Sequence, residues 1–225
     1  MISIAIDGPA GAGKSTVAKA VAQRLKYLYV DTGALYRAIA SFVQGRELDD
    51  EAAIVAALDS VDVKLKFIND LQRVFLCDED VTEKIRTPQI SRMASKISAI
   101  PAVREFLLCL QRDIAQKNNV LMDGRDIGTV ILPNADVKIF LTASPEVRAK
   151  RRYKELLDKG ISSDYEDVLS DILKRDYDDS NRTVAPLKRA EDALLVDTSD
   201  CSFEESVELV LRFIEEGLRK SALNS

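Results

Sequence analysis

The sequence predicts an α/β protein in which five parallel strands form the middle layer of a three-layer α/β/α sandwich. Short apolar runs, typical of buried parallel strands, alternate with longer stretches whose apolar residues recur at helical spacing. A glycine-rich loop joins the first apolar run to the first helical stretch. Because crossovers between parallel strands are right-handed, we expect the strand before this loop to lie in the middle of the sheet.

Each element has its own signal in the chain. The strands are short, mostly apolar runs at 2–6, 27–30, 120–122, 137–141 and 194–196. Apolar periodicity places helices at 16–25, from 34 onward, and at 48–58, 88–100, 101–117, 145–160, 164–179 and 203–220. Ser144 before Pro145, and Ser202 three residues before Glu205, predict two helix starts. Gly160 predicts the end of the helix that begins at 145.

One segment, residues 46–87, departs from the alternation of strands and helices. Apolar and polar residues alternate strictly at 61–67, a turn is expected at 69–70, and a second strand is expected at 73–77. Val81 is where we expect a third short strand to start. This pattern is typical of an antiparallel sheet with one exposed face, so we predict a small inserted β subdomain.

The glycine-rich loop reads GPAGAGKST from Gly8 to Thr16 and fits the phosphate-binding pattern G-x-x-x-x-G-K-[ST] at every position. The glycines at 8, 11 and 13 allow successive backbone N–H groups to converge on a β-phosphate. In this motif Lys14 bridges the β- and γ-phosphates, and the Ser15 hydroxyl ligates Mg²⁺. The loop predicts a nucleoside triphosphate site; the alternative is an ordinary glycine-rich turn between strand and helix.

Composition limits the class of protein. With 225 residues, 46% of them hydrophobic and 31% charged, the chain suits one globular domain with an insertion. Its apolar runs are too short to span a membrane. Met1 leads directly into the first strand, which leaves no room for a signal peptide, so we expect a cytosolic protein.

Charge, cysteine and histidine content narrow the chemistry. A net charge of −5 without a long basic block gives no reason to expect a nucleic-acid partner. Cys77, Cys109 and Cys201 are widely spaced and odd in number, so we expect reduced thiols. The chain has no histidine, which excludes Ser-His-Asp, Cys-His and His-metal sites. No exposed apolar stripe stands out, and we expect a monomer.

Acidic and basic residues gather where an α/β sheet binds ligands. Asp123 ends the third apolar strand, where a carboxylate would order the Mg²⁺ shell through water; the alternative is a helix-capping aspartate. Seven arginines fall at strand ends, at helix starts or on a basic helix: Arg37, Arg104, Arg125, Arg151, Arg152, Arg175 and Arg182. Such a set suits a site that holds several phosphates, whereas a charge run on its own is usually a solvated face.

Four stretches carry a resemblance to a known family: GPAGAGKST, DTGALYR, DGRDIGTV and SNRTVAPL, in this order and spacing. Over essentially its whole length the chain resembles the bacterial cytidylate kinases, which are nucleoside monophosphate kinases with the P-loop kinase fold. The resemblance implies transfer of a phosphate from ATP to CMP or dCMP, with Mg²⁺, giving ADP and CDP or dCDP in pyrimidine metabolism. ATP and CMP or dCMP would be the only partners.

The resemblance also implies roles for individual residues. The ATP site would consist of Gly8, Pro9, Ala10, Gly11, Ala12, Gly13, Lys14, Ser15 and Thr16. The CMP site would consist of a monophosphate group, Thr32, Arg37, Arg125 and Arg182; a cytosine group, Ser95, Arg104 and Asp126; and a sugar group, Arg175 and Asp179. The catalytic set would be Lys14, Arg125, Arg151, Arg152 and Arg182, with Arg151 and Arg152 on a mobile lid.

The same resemblance divides one domain, 1–225, into parts. The core would be 1–45, 101–147 and 183–225, the monophosphate-binding insert about 46–100, and the lid about 148–182. The family often has DSG where this chain has Asp31-Thr32-Gly33; a hydroxyl is kept, so we expect a small effect.

The assignment of the base also has independent chemical sense. Cytosine carries an exocyclic amine beside acceptors at N3 and O2, so a carboxylate such as Asp126 can accept from the amine while a guanidinium donates to the acceptors. Uracil has a carbonyl in place of the amine and would face Asp126 acceptor against acceptor.

Other functions predict different sequences or substrates. A GTPase-type switch would need a guanine-reading Asn-Lys-x-Asp motif, which the sequence lacks. A kinase for adenylate or a small metabolite remains an alternative that acceptor preference would distinguish. A non-catalytic structural module would not require Lys14, Ser15 and Asp123 together.

Overall fold

The structure, a computed structural model, describes residues 1–68, 71–158 and 160–223. Its main sheet has five strands, all parallel, in the order β2-β6-β1-β7-β8. These strands are β1 (Ser3–Asp7), β2 (Leu28–Asp31), β6 (Val120–Gly124), β7 (Val137–Thr142) and β8 (Leu194–Asp197). The predicted fold class is confirmed, and β1, which precedes the glycine-rich loop, is the middle strand.

Helices cover both faces of this sheet. They are α1 (Lys14–Leu25), α2 (Thr32–Gly45), α3 (Glu51–Ala57), α4 (Pro88–Ile97), α5 (Pro101–Lys117), α6 (Pro145–Asp158), α7 (Tyr165–Asn181) and α8 (Phe203–Leu223). Ile4 and Ile6 of β1 pack with α1 and α8 on one face, whereas Ala5 packs with α5 on the other. Side chains alternate along a strand, so this sheet is buried on both sides.

The predicted antiparallel insert is present as a second sheet in the order β3-β4-β5. Its strands are β3 (Val63–Ile68), β4 (Leu71–Leu76) and β5 (Glu79–Asp80). The turn predicted at 69–70 lies outside the described residues. The expectation that Val81 starts the third strand is wrong: β5 ends before it, because the Thr82 hydroxyl accepts the Val74 N–H at 2.9 Å and the ladder stops there.

Several helix boundaries differ from the sequence prediction by a few residues, and two of these differences have a local cause. The helix expected at 88–100 ends at Ile97, because Pro101 disfavours a helical Ile100, which is extended at φ −79° and ψ 118°. The helix expected from 48 begins at Glu51, where the Asp50 carboxylate accepts the Ala53 N–H at 2.8 Å. The capping box at α8 is formed as predicted: Ser202 N–H donates to Glu205, and Glu205 N–H donates to the Ser202 hydroxyl.

None of the helices within the described residues is both long enough and apolar enough to cross a membrane.

The core of the main sheet should dominate stability. Ile139 on β7 is 1% exposed, whereas Leu195 on the adjacent edge strand β8 is 52% exposed. We expect Ile139→Ala to lower the free energy of unfolding by about 2–5 kcal/mol, since it removes buried methylene groups and leaves a cavity. Leu195→Ala is the matched control, with a change within about 0.5 kcal/mol. Urea denaturation of both variants measures this, and equal losses would contradict the packing described here.

Candidate active site

The glycine-rich loop lies at the carboxyl end of the middle strand and is shaped by backbone that only glycine adopts easily. Gly8, Gly11 and Gly13 have φ of 152°, 73° and 82°. A Cβ on Gly8 would lie 1.9 Å from the Leu141 carbonyl oxygen, so β7 approaches the loop too closely for any side chain. Gly13 caps α1, whose N-terminus therefore opens toward the centre of the loop, as an anion site requires.

Lys14 is buried beneath this loop. Its Nζ donates to the Pro9 carbonyl oxygen at 2.7 Å, so the side chain curls back along the loop. Burial, and next the Arg125 guanidinium, hold the pKa of Lys14 well below its ordinary value. A bound anion would raise this pKa again, because its negative charge stabilises the charged form of Lys14.

Ser15 and Asp123 meet beside the loop. The Ser15 hydroxyl donates to Asp123 Oδ2 at 2.7 Å, and the Tyr29 hydroxyl donates to Asp123 Oδ1 at 2.9 Å. Burial, with help from the negative charge of Asp31, raises the pKa of Asp123 to about 6. A hydroxyl and a carboxylate side by side are the oxygen ligands that Mg²⁺ accepts, so these residues fit that ion. Asp123 begins no helix, so the helix-capping alternative is wrong.

A second group of charged residues follows β6. Asp126 is buried between two arginines: it forms an ion pair with Arg104, and its Oδ1 lies 3.5 Å from Arg182 Nη2. Arg104 also donates to the Ser98 carbonyl oxygen at 3.1 Å. Ser95 is linked to Ser98, because the Ser95 carbonyl oxygen accepts a hydrogen bond from the Ser98 hydroxyl at 2.8 Å. Of the predicted cytosine group, Arg104 and Asp126 are in direct contact, whereas Ser95 is connected to them through Ser98 by its backbone carbonyl.

Arginines crowd the space between these two groups. Arg125 Nε donates to Asp179 Oδ2 at 2.8 Å, and Arg182 Nη1 lies 4.0 Å from Asp179 Oδ1. Burial, then the charge of Arg125, lowers the pKa of Arg175 to about 10. Burial opposes ionisation of Asp179 as well, but Arg125 and Arg175 outweigh it and hold its pKa below the ordinary value. Cations exceed anions here, which favours an anionic ligand.

Arg37 and Thr32 complete this edge of the sheet. Arg37 Nη2 pairs with Asp31 Oδ2 at 2.8 Å, and its side chain is only 20% exposed. The Thr32 hydroxyl donates to the Asp123 carbonyl oxygen at 2.8 Å. Within the described residues, Arg37 Nε and Arg175 Nε are buried without a hydrogen-bond partner. Unpaired buried donors are costly, and phosphate oxygens would satisfy them.

The helices α6 and α7 lie over the glycine-rich loop. Arg148 on α6 donates to the Ala10 carbonyl oxygen at 3.0 Å and to Asp176 Oδ2 at 2.6 Å. Asp176 on α7 also accepts the Ala10 N–H at 3.3 Å. Arg151 Nη2 donates to the Thr198 carbonyl oxygen at 2.7 Å, near Gly13. Arg152 pairs with Glu155, one turn farther along α6, at 2.8 Å. The positive charge of Arg152 also contributes, after burial and Arg125, to the lowered pKa of Arg175.

Comparison with a family model decides which family the chain belongs to. The cytidylate kinase family model matches residues 4–216. The chain belongs to the cytidylate kinase family. The sequence-based recognition is thus confirmed, and so is the prediction of a kinase, an ATP-dependent phosphotransferase with the P-loop kinase fold.

Curated relatives agree with the family model. The chain is 53% identical over 220 residues to the cytidylate kinase of Caldanaerobacter subterraneus subsp. tengcongensis, covering 97% of this chain and 96% of the relative. It is 52% identical over 213 residues to that of Carboxydothermus hydrogenoformans, covering 94% and 96%. A solved structure, an uncharacterized protein from Eubacterium ventriosum, matches with a TM-score of 0.52 and 14% identity over 96% of this chain and 99% of that one, which shows the fold alone.

Four residues at this end of the sheet were missed from the sequence. Asp7 accepts the backbone N–H groups of Ile127 and Gly128, and Arg148 with Asp176 connects α6 and α7 to the glycine-rich loop. Tyr29 holds Asp123. The position of Asp7, at the end of the strand that leads into the loop, was a signal that could have identified it. The partners of the other three lie far away in sequence.

The contact of α6 and α7 with the glycine-rich loop should contribute to the free energy of unfolding. Asp176→Ala would leave the guanidinium of Arg148, 4% exposed, without its carboxylate, and we expect a loss of about 3 kcal/mol in the free energy of unfolding. Asp113→Ala is the matched control, because Asp113 pairs with Lys117 at 2.7 Å on an exposed helix face and should contribute less than about 0.5 kcal/mol. Chemical denaturation compares the two; a loss as small as the control's would show that the contact contributes little to folding.

Proposed function

We propose that this kinase transfers the γ-phosphate of ATP to CMP or dCMP, giving ADP and CDP or dCDP in pyrimidine nucleotide metabolism. The observation that carries the proposal is Asp126, a buried carboxylate held between Arg104 and Arg182 at the carboxyl end of β6. It offers an acceptor to the cytosine amine, while the two guanidinium groups offer donors to N3 and O2.

The donor nucleotide would bind along residues 8–16. Backbone N–H groups of the loop and the α1 N-terminus would hold the β-phosphate, and Lys14 would leave the Pro9 carbonyl to bridge the β- and γ-phosphates. Ser15 would hold Mg²⁺ directly and Asp123 would hold it through water. A Mg²⁺ ion there would neutralise charge on the phosphate oxygens.

The acceptor would bind in the arginine-rich space. Its monophosphate would be held by Thr32, Arg37, Arg125 and Arg182, and its sugar would be reached by Arg175 and Asp179. The unpaired Nε atoms of Arg37 and Arg175 support this placement, since phosphate and sugar oxygens would satisfy them.

The lid would complete the site. In this proposal residues 148–182 close over the reacting phosphates, so that Arg151 and Arg152 stabilise charge on the γ-phosphate and water is excluded. The insert, about 46–100, forms the wall beside the acceptor, and 1–45, 101–147 and 183–225 form the core. No general base is assigned, because phosphoryl transfer depends chiefly on positioning and charge neutralisation.

The proposal includes the expected compartment, oligomeric state and partners of the enzyme. Cys77, Cys109 and Cys201 are free thiols, which supports a reducing compartment such as the cytosol. A monomer remains the prediction from the lack of an exposed apolar stripe, and the absence of a nucleic-acid partner remains the prediction from the net charge of −5 without a long basic block. The short apolar runs give no reason to expect a membrane partner.

A coupled assay for ADP with Mg²⁺–ATP and a panel of CMP, dCMP, UMP, AMP and GMP tests the function. We expect CMP and dCMP to be the preferred acceptors, because uracil presents a carbonyl where cytosine presents its amine, and the purines are larger and lack the row of amine, N3 and O2. Lys14→Ala should fold and slow phosphoryl transfer by roughly a thousandfold or more, the scale of losing a key electrostatic contact. Equal use of AMP, or single-turnover rates of the variant within about tenfold of wild type, would contradict the proposal.

The base-reading role of Asp126 has its own test. Asp126→Asn keeps a carbonyl for the cytosine amine but adds an amide that can donate to uracil O4. We expect weaker use of CMP and a gap between CMP and UMP that narrows by roughly 1–3 kcal/mol in kcat/KM. If Asp126 only orients Arg104, both substrates should lose the same factor. Asp179→Asn is the control, since a residue that faces the sugar should leave the CMP to UMP ratio unchanged.

A further inference from the structure

Asp7 is a buried carboxylate to which neither the motif nor the family resemblance assigns a role. It is the last residue of β1, immediately before the glycine-rich loop, and is 5% exposed. Its Oδ1 accepts the Ile127 N–H at 2.7 Å and its Oδ2 accepts the Gly128 N–H at 2.8 Å. Both acceptor atoms are therefore used by one short stretch of backbone, 120 residues away in sequence.

That stretch is the turn that follows Asp126. Ile127–Ile131 forms a single π-helical turn, and Asp126 precedes it with backbone angles, φ −147° and ψ 28°, outside regular structure. Gly128 has close neighbours on two sides. A Cβ at this position would lie 3.1 Å from Lys138 Cδ and 3.4 Å from Asp7 Oδ2. The direction in which the Asp126 side chain leaves the backbone is thus determined by a turn that Asp7 holds.

The turn is held by a carboxylate whose burial opposes its ionisation. Burial, which outweighs the two backbone hydrogen bonds, raises the pKa of Asp7 from 3.8 to about 6. Its folded pKa is raised, so the ionised carboxylate lowers stability: the loss begins as pH rises above about 4 and is complete above about 6. Two charged groups act on it: Asp126 raises the pKa further and Lys14 lowers it. The Lys138 ammonium is paired elsewhere, with Asp192.

We propose that Asp7 is a positioning residue for the acceptor, which holds the turn after β6 so that Asp126 is aimed at the cytosine. This inference rests on the proposed function. It also means that one residue connects the two halves of the site, because Gly8, the next residue in the chain, begins the ATP loop. A buried ionisable side chain that holds the turn beside Asp126 is the pattern expected of a functional constraint.

The test substitutes Asp7→Asn and measures binding of CMP and of ATP separately by calorimetry. Asparagine can accept one N–H but presents its own NH₂ to the other, so one backbone donor loses its partner. We expect CMP affinity to fall roughly tenfold, because the loosened turn no longer holds Asp126 in the orientation that pairs with cytosine; tenfold corresponds to about one hydrogen bond. ATP affinity should be unchanged or higher, because the variant removes a negative charge near Lys14.

Asp136→Asn is the matched control. Asp136 also connects β1 to a later segment: it accepts the Ser3 N–H at 2.7 Å, but at the amino end of β1, away from the site. We expect this control to leave CMP affinity within about twofold of wild type, a change well under one hydrogen bond. Equal weakening of CMP and ATP by Asp7→Asn, or an unchanged CMP affinity, would overturn the inference.

A pH series gives a second readout that a purely structural role would not move. Because the phosphate of CMP also titrates near pH 6, the informative quantity is the ratio of CMP affinities of wild type and Asp7→Asn. We expect about tenfold at pH 8 and a ratio that approaches one at pH 5, where Asp7 of the wild type is protonated. A ratio that stays constant would overturn the inference. If wild-type protein binds no CMP, the proposed function fails instead, so the two failures are distinguishable.

Discussion

Burial of charge at the carboxyl edge of the parallel sheet is the constraint on which the site depends. β1, β2 and β6 end there in aspartates or run directly into them: Asp7, Asp31, Asp123 and Asp126. A buried carboxylate is costly unless it is paired or hydrogen-bonded, and each of these has partners. Asp31 has Arg37, Asp126 has Arg104, Asp123 has two hydroxyls, and Asp7 has two backbone amides. The site is built from these pairings.

The same pairings prepare the site for a highly charged ligand. Around Asp179 the guanidinium groups outnumber the carboxylates; burial, and after it their mutual repulsion, lowers the pKa of Arg175 to about 10. A phosphate would supply the missing negative charge, and exclusion of water from the site would strengthen every such contact. Arginine rather than histidine suits this chemistry, because neutralising phosphate oxygens requires fixed positive charge and no proton shuttle.

Local signals predicted most of the fold because the chain obeys them consistently. Parallel strands read as apolar runs, Pro101 and Ser202 mark helix starts, and the glycine spacing of residues 8–13 specifies the loop. Two of the predictions that failed did so where a hydrogen bond from the backbone to a side chain overrides the apolar pattern. Val81 lies outside the third strand because the Thr82 side chain takes the Val74 amide, and Leu48 lies outside α3 because Asp50 caps it.

The sequence by itself determined the fold class, the family, the phosphate loop and the kinds of group in the site. It did so because each rests on residues adjacent in the chain, or on spacings of a few residues that fix backbone shape. Only the tertiary structure decided which groups are partners: Asp7 with the turn after Asp126, Arg148 with Asp176 and the Ala10 backbone, and Tyr29 with Asp123. These contacts join segments that only the parallel sheet brings together, and their energies depend on burial, which a linear sequence does not specify.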